Sequence, residues 1–405
     1  MGDFLRLFAG VALLAIASLT VLPTPNRFLW GASVAATEYG YWIALAALVP
    51  LIPTRKQTPP GRLGALLCLA AIPLLIFPVY RAHEVGADLQ RTFEARFGPD
   101  RRVRARAAQD PRTEPLVLRD LVVPADVPAV RYEQRVFAER EDQKLSLDIY
   151  RPGYVHEPVP AVIVVHGGAW QRGDNTEFAG LNGYLASRDY VVATINYRLA
   201  PRWRFPAQRD DVFAAMAYVK THAVELNVDP SRLVLLGRSE GGQLALLAAY
   251  TAGEPSIRGV ISIYAPTDLR YAYEHPSSPS LMPTRTVLEN FVGGPPARAE
   301  QAYFDASPIN FVTATTPPTL LIHGLRDPVI SADQSSRLDE RLQKAGVKHV
   351  FVRLPWATHA CDTSLVGPCG QIMTYAIERF VDAVTVAPAA PSAAPAHRTT
   401  KLAKR

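Results

Sequence analysis

The strongest constraint on the fold is an alternation of short apolar runs with longer helical patterns, which begins at residue 131. The short runs include AVIVV at 161–165, LVLL at 233–236 and TLLI at 319–322. Continuous runs of β-branched residues and leucine are typical of parallel strands that are buried on both faces of a sheet. The pattern therefore predicts an α/β domain over residues 131–385, with a mostly parallel sheet of about eight strands and helices on both faces.

The same pattern places the individual elements. The first two strands alternate polar and apolar residues, as a half-buried antiparallel hairpin does. We predict strands at 132–138, 144–150, 161–165, 190–195, 233–236, 260–264, 319–322 and 349–353. Helices are predicted at 178–187, 208–226, 241–250, 333–345 and 371–383. In such sheets the reactive groups lie at the carboxyl ends of the strands, so these ends are where a site is expected.

A serine follows one of these strand ends, in the sequence GRSEG at 237–241. A sharp turn from strand to helix exposes the Oγ atom of a serine, and the flanking glycines allow the close backbone packing that this turn needs. The following helix directs its N-terminal amides toward the site. We predict that Ser239 is a nucleophile; the alternative is an ordinary strand-to-helix turn.

A second strand end carries HGGAW at 166–170. Glycines expose backbone N–H groups that can point at an oxyanion. We predict that the N–H groups of Gly168, Ala169 and Glu240 form an oxyanion hole. A glycine turn with a capping histidine is the alternative.

Two further strand ends supply an acid and a base. Asp327 follows TLLI within HGLRDPV at 323–329, and His359 lies in the loop after the last strand. An Asp before proline also initiates ordinary turns, which is the alternative for Asp327. The chain order Ser239, Asp327, His359 is the order of nucleophile, acid and base in α/β hydrolases. These three residues are therefore predicted to form a catalytic triad.

Residues 130–385 resemble the α/β-hydrolase superfamily, and within it the esterases similar to hormone-sensitive lipase and to bacterial feruloyl-esterase-like proteins. The motifs that carry the resemblance are HGGAW at 166–170, NYRLAP at 196–201, FPAQ at 205–208, GRSEGG at 237–242, HGLRDPV at 323–329 and PWATH at 355–359. The resemblance implies a carboxylic ester hydrolase. It also implies structural roles for NYRLAP and FPAQ, with Arg198 in an internal ion pair. This group often has alanine after the nucleophile, where this chain has Glu240.

The substrate is less constrained by the sequence. We expect Trp170 and Tyr264 to contact it, and residues 264–306 to form a lid or the wall of an acyl pocket. Apolar residues of that segment either line such a pocket or only pack the loop: Tyr271, Tyr273, Leu281, Met282 and Phe291. The expected substrate is a small or lipid-like ester. No metal or organic cofactor is expected.

The first 80 residues contain three apolar segments, at 7–22, 39–52 and 63–80. A spanning helix needs about 20 apolar residues, so we predict a membrane domain of about three transmembrane helices over residues 1–80. The alternative is a cleaved signal peptide, because AIAS at 15–18 has the form of a cleavage site, followed by a hairpin or a single anchor. The basic loop 54–62 is expected on the cytoplasmic side. The N-terminus then lies inside and the catalytic domain outside.

The remaining segments are expected to be a linker or a partly helical stalk at 81–130 and a disordered, Ala/Pro-rich tail at 386–405. The formal charge of +6 comes largely from residues 101–106 and from the tail, without interleaved aromatic residues, so no nucleic-acid partner is expected. Cys361 and Cys369 could pair as a disulfide in an oxidising compartment. The cysteines form no metal-binding motif, and the sequence leaves the oligomeric state open.

Two other functions fit the same residues. A serine peptidase or amidase uses the same triad, although residues 1–130 show no propeller-type gating domain. A non-catalytic, membrane-anchored binding protein on the hydrolase fold is the second alternative, and the presence of the serine, aspartate, histidine and HGG motif disfavours it.

Overall fold

The computed structural model describes residues 2–52, 58–99, 114–123, 129–140, 142–153 and 157–385. Three features expected from the sequence lie outside these residues: the arginine-rich segment 101–106, the tail 386–405 and part of the basic loop at 54–57.

The centre of the fold is an eight-stranded sheet with the order β1-β2-β4-β3-β5-β6-β7-β8. Pairs β1–β2 and β2–β4 are antiparallel, and the remaining pairs are parallel. The predicted eight-stranded, mostly parallel sheet is confirmed. The strands are β1 (Arg131–Arg140), β2 (Gln143–Arg151), β3 (Val159–Val165), β4 (Val191–Ile195), β5 (Val228–Arg238), β6 (Ile257–Ile263), β7 (Thr319–Gly324) and β8 (His349–Leu354).

Twelve α-helices are present in the described residues, three of them before the sheet. These are α1 (Gly2–Ser18), α2 (Arg27–Ala46) and α3 (Pro59–Phe97). The helices that follow β3 are α4 (Ala179–Ala186), α5 (Ala207–Thr221), α6 (Ala223–Leu226), α7 (Glu240–Thr251), α8 (Leu269–Glu274), α9 (Thr284–Val292), α10 (Pro296–Asp305), α11 (Asp333–Lys344) and α12 (Pro368–Thr385).

The sheet is buried on both faces because successive side chains of a strand point to opposite sides. In β3, Ala161, Ile163 and Val165 belong to one apolar cluster, and Val162 and Val164 belong to the other. Helices α5, α7 and α11 cover the first face, and α3, α4 and α12 cover the second. Both faces therefore need apolar residues, which explains the continuous apolar runs in the sequence.

The N-terminal region differs from the expectation of three spans. Two helical segments are long and apolar enough to cross a membrane, Arg27–Leu51 and Pro59–Phe97. Helix α1 has 17 residues and is shorter than a spanning segment of about 20. The axis of α1 runs parallel to the first half of α3. The carboxylate of Asp3 accepts from Thr58 at the start of both helices, and the Thr20 hydroxyl, just after the end of α1, donates to the Leu74 carbonyl.

Part of the segment expected to be a linker or a partly helical stalk is helical. Residues 81–97 continue α3, which ends at Phe97, and Gly98 follows with a φ of +84°. Ala82, Leu89 and Phe93 are buried in the apolar cluster on the second face of the sheet. Their spacing of seven and four residues puts them on one side of the helix, so this half of α3 docks onto the hydrolase domain.

Candidate active site

Ser239 lies at the turn between β5 and α7 and has a φ of +52°, which is unusual for a residue other than glycine. The turn is tight because α7 begins against the end of β3. A Cβ atom on Gly241 would collide with the carbonyl oxygens of Val165 and His166. The turn therefore places the Ser239 side chain beyond the end of the strand, where it lines a cavity.

Two side chains from neighbouring loops extend the site from Ser239. The Oγ atom of Ser239 lies 3.2 Å from Nε2 of His359, in the loop after β8. The other ring nitrogen of His359, Nδ1, lies 2.6 Å from Oδ2 of Asp327, in the loop after β7. These are hydrogen-bond distances, and they join a hydroxyl, an imidazole and a carboxylate in the order that nucleophile activation requires.

Asp327 is held in place from several directions. Its Oδ1 accepts hydrogen bonds from the backbone N–H groups of Val329 and Ile330, both at 2.8 Å. Burial by itself favours the neutral acid, but the neighbouring His359 and His323 outweigh it and lower the pKa of Asp327 well below its ordinary value. The sequence did not predict a role for His323. Its place at the end of β7, where site residues are expected, was the one feature that could have indicated it.

The charge of Asp327 acts on His359 in return. Burial lowers the pKa of His359, while the charges of Asp327, Glu240 and Asp362 and the hydrogen bond to Asp327 raise it more, so the net pKa lies above the ordinary value of 6.5. The imidazole is thus a stronger base than a free histidine side chain.

The HGGAW turn has a left-handed backbone at three successive residues, with φ of +104° at Gly168, +59° at Ala169 and +56° at Trp170. A Cβ atom at Gly168 would collide with the carbonyl oxygen of Arg172. The three residues expected to supply the oxyanion hole line the same cavity as Ser239. One of their N–H groups is already occupied, because the N–H of Ala169 donates to Oε2 of Glu240 at 2.8 Å. The side chain that departs from the family pattern therefore reaches the expected oxyanion site.

The two residues expected to contact substrate have additional partners. Trp170 is buried, stacks on Phe291 at 4.1 Å and donates from Nε1 to Gln243. Tyr264 packs against the ring of His359 at 4.4 Å, and its hydroxyl donates to Oδ1 of Asp362 at 2.5 Å. Both therefore help to build the walls of the site.

A buried ion pair lies behind Tyr264. The guanidinium of Arg238, next to Ser239, bonds to Asp362. Asp362 lies in the short loop between Cys361 and Cys369, which form a disulfide in the structure, with Cα atoms 5.9 Å apart. No sequence pattern pointed to Asp362, because its partners are distant in the chain.

Two cavities meet at this site. A largely apolar cavity of about 130 Å³ is lined by Trp170 and Glu240 and by residues of the 264–306 segment and the loop after β7. Of the residues expected to shape a pocket, Tyr271 and Met282 line it, whereas Phe291 packs behind Trp170. The hydroxyl of Tyr273 bonds to Glu289.

A larger cavity of about 380 Å³ contains Ser239, His359, Gly168 and Ala169. Its wall includes Leu281 and Met282. It also includes Arg27 and Trp30 from the first turn of α2. No sequence pattern pointed to Arg27 or Trp30, since both lie within residues 1–80, which were expected to form a membrane domain.

Known proteins that match this chain include several esterases. Residues 147–342 match the BD-FAE family model. Esterase LipC of Mycobacterium tuberculosis is 33% identical over 258 residues, which cover 58% of this chain and 62% of LipC. A solved carbohydrate esterase from gut microbiota, in truncated form, aligns with a TM-score of 0.53 and 26% identity, covering 63% of this chain and 98% of that structure. These matches support the resemblance to the hormone-sensitive-lipase-like esterases. Further relatives of this chain include a carboxylesterase and a probable carboxylic ester hydrolase.

One relative matches nearly the whole chain. The probable carboxylic ester hydrolase LipM of Mycobacterium tuberculosis is 27% identical over 408 residues, covering 92% of this chain and 93% of LipM. LipC, by contrast, is matched over less than two thirds of its length.

The other motifs that carry the resemblance have structural positions. Arg198 of NYRLAP makes a bidentate ion pair with the buried Asp211, so it packs the start of α5 against the loop after β4. Within the described residues, no group of three or more His, Cys, Asp or Glu side chains is placed to hold a metal ion.

Proposed function

We propose that this protein hydrolyses carboxylic esters, with Ser239 as nucleophile, His359 as general base and acid, and Asp327 as the residue that orients the imidazole. The observation that carries the proposal is the continuous relay from Ser239 Oγ to His359 Nε2, 3.2 Å apart, and from His359 Nδ1 to Asp327, 2.6 Å apart. This geometry is the one that acyl transfer by a serine hydroxyl requires.

The reaction proceeds in two halves. His359 takes the proton of Ser239 as the hydroxyl oxygen attacks the ester carbonyl carbon. The oxyanion of the tetrahedral intermediate is stabilised by the N–H groups of Gly168, Ala169 and Glu240, at about 3–4 kcal/mol per donor. His359 then donates its proton to the leaving alcohol, which gives an acyl-enzyme. Water attacks this acyl group with His359 again as base, and the acid is released.

For Ala169 to act, the carboxylate of Glu240 must leave its N–H. The Glu240 carboxylate accepts that N–H at 2.8 Å, where it competes with a substrate oxygen. Entry of the carbonyl oxygen therefore displaces the Glu240 side chain.

The apolar cavity of about 130 Å³ is the proposed acyl site, since it adjoins Trp170 and Glu240 beside the oxyanion donors. A cavity of about 150 Å³ accommodates benzene. The acyl group is accordingly a short one, of about six carbons or fewer.

The N-terminal helices are proposed to anchor the enzyme in a membrane, with the catalytic domain on the extracytoplasmic side. The apolar character of Arg27–Leu51 and Pro59–Phe97 supports anchoring. Helix α1 packs alongside the first half of α3. Crossings by α2 and α3 put the basic loop 54–62 inside and residues 131–385 outside, in agreement with the preference of basic loops for the cytoplasmic side.

Hydrolysis of p-nitrophenyl acetate, butyrate, octanoate and palmitate by the full-length protein in detergent tests this function. We expect wild-type turnover to be highest on the acetate and butyrate. Ser239→Ala should lower kcat at least about a thousandfold while leaving the melting temperature unchanged. Equal rates for the folded wild type and Ser239→Ala would contradict the proposal. Cleavage of matched amides in preference to the esters would replace it with an amidase function.

A further inference from the structure

Residues 19–30, which connect α1 to α2 and include the first turn of α2, contact three of the loops around the candidate active site. We call these residues the junction segment. Its first contact is with Arg326, the residue before Asp327, whose guanidinium bonds to the carbonyl oxygens of Leu19, Thr20 and Leu22. The loop that carries the catalytic acid is therefore attached to the end of α1.

The second contact is with the loop of the catalytic base. Trp30 Nε1 donates to the backbone carbonyl of His359 at 3.0 Å, and the two rings are 6.1 Å apart. The third contact is with the segment expected to act as a lid: Arg27 donates from Nε to the Leu281 carbonyl at 2.8 Å, and Ser280 donates to the Pro25 carbonyl at 2.6 Å. An anchor alone would not need these contacts.

The position of Trp30 relative to His359 indicates which part of the substrate it meets. His359 gives its proton to the departing alcohol, so the alcohol oxygen must lie within hydrogen-bond reach of its Nε2 atom. Trp30 lines the cavity that contains Ser239 and His359, and it does not line the apolar cavity proposed for the acyl group. Its indole therefore borders the alcohol side of the site.

The outer rim of the junction segment is apolar and exposed. Val21, Leu22 and Phe28 have 43%, 53% and 83% of their surface exposed, and they continue the apolar surfaces of α1 and α2. Such side chains gain free energy when they leave water and contact a lipid or another apolar group. A long apolar alcohol leaving the cavity past Trp30 would meet this rim.

We propose that the junction segment is the alcohol-side wall of the active site, with Trp30 as its specificity residue, and that the preferred substrates are esters of long apolar alcohols. The inference rests on the proposed esterase function and adds to it the substrate class. Trp30 is also a positioning residue, because its indole N–H holds the backbone of His359.

Two series of esters in which one side is varied at a time test this inference on the full-length protein in detergent. The alcohol series is ethyl, butyl and octyl butyrate, and the acyl series is ethyl acetate, butyrate and hexanoate. In the wild type kcat/KM should rise along the alcohol series, by up to about fourfold per methylene that contacts the wall. Trp30→Ala should flatten this rise and leave the ratios within the acyl series unchanged.

Two further variants control the result. Trp42→Ala removes an exposed tryptophan of the same helix that lies outside both cavities, and it should change neither series. Trp30→Phe keeps an aromatic ring and removes the N–H donor; it should lower kcat/KM about two- to tenfold for every ester and keep the alcohol dependence. Melting temperatures identify a variant that fails to fold, in which case Trp30→Phe carries the test of positioning.

The inference is overturned if Trp30→Ala scales both series by one factor, leaves both unchanged, or is matched by Trp42→Ala. A wild-type protein that cleaves the esters without any alcohol dependence overturns the inference alone. A wild-type protein that cleaves none of them overturns the proposed function as well.

Discussion

At the scale of single residues, side chains from three different strand ends meet in one site, and the Glu240 side chain reaches into it. Ser239, Asp327 and His359 follow strand ends, and parallel strands bring their carboxyl ends to one edge of the sheet. The contact from Glu240 to the Ala169 N–H depends on three left-handed residues in the HGGAW turn. Only Gly168 among them is a residue that favours such a conformation, so the pattern carried no signal for this contact.

The charge of Glu240 leads to a prediction about how kcat/KM depends on pH. Only neutral His359 can accept the proton of Ser239, so activity falls as the pH drops through the pKa of His359. Although burial lowers that pKa, the charges of Asp327, Glu240 and Asp362 raise it above its ordinary value. Glu240→Gln removes one of these charges, so the acidic limb of the pH profile of kcat/KM should move to lower pH.

Glu177 provides a matched control for this shift. It lines the same cavity, and it is not among the groups that raise the pKa of His359. Glu177→Gln should leave the acidic limb in place. An acidic limb that stays fixed in Glu240→Gln, or that moves to higher pH, would show that the Glu240 charge does not act on the base.

At the scale of elements, the strands and most helices of residues 131–385 were predictable, because burial on both faces of a sheet imposes a readable apolar pattern. Helix α3 was not predicted in full. Charged residues between 81 and 97 resemble a linker in composition, yet one side of this stretch carries Ala82, Leu89 and Phe93 against the domain. The residues that this side of the helix packs against lie far away in the chain, so the sequence alone did not reveal the contact.

The loop after β8 is an element whose order we expect to depend on a covalent bond. The Cys361–Cys369 disulfide closes a loop with a sequence separation of 8, which includes Asp362 and begins two residues after His359. Cys361→Ser with Cys369→Ser should lower the free energy of unfolding by about 2–3 kcal/mol. It should also lower kcat, because Asp362 holds Tyr264 against His359.

Urea denaturation and ester hydrolysis measured on the same preparation test this loop. Cys68→Ala, which removes the free cysteine in α3, is the control and should leave kcat unchanged. A double serine variant with wild-type stability and wild-type kcat would show that the loop keeps its structure without the bond.

At the scale of the whole molecule, hydropathy indicated that the N-terminus is apolar, and it overcounted the segments able to span a membrane. Hydropathy also could not show that the start of α2 lines the cavity of the proposed catalytic site. That relation depends on contacts between residues more than 250 positions apart, such as Arg27 with Leu281 and Trp30 with His359. A local pattern in the sequence does not record such contacts.

The proposed topology predicts which loops a membrane-impermeant maleimide can reach. Ser392→Cys, in the tail after the catalytic domain, should be modified on intact cells. Gln57→Cys, in the basic loop before α3, should be modified only after the membrane is permeabilised. The native cysteines provide a low background, because Cys68 is buried and the other two are bonded to each other. Modification of Gln57→Cys on intact cells would show that the protein has the opposite orientation in the membrane.

The central claim is that Ser239 is the nucleophile of an esterase, and covalent labelling tests it most directly. The full-length protein is treated with a fluorophosphonate, digested and mapped by mass spectrometry. Attack by Ser239 Oγ on phosphorus, with loss of fluoride, should place one phosphonyl group on the peptide that contains Ser239. The label should be absent in Ser239→Ala and should form much more slowly in His359→Ala. A folded wild-type protein that remains unlabelled at Ser239, or that carries the label on another residue, would contradict the account.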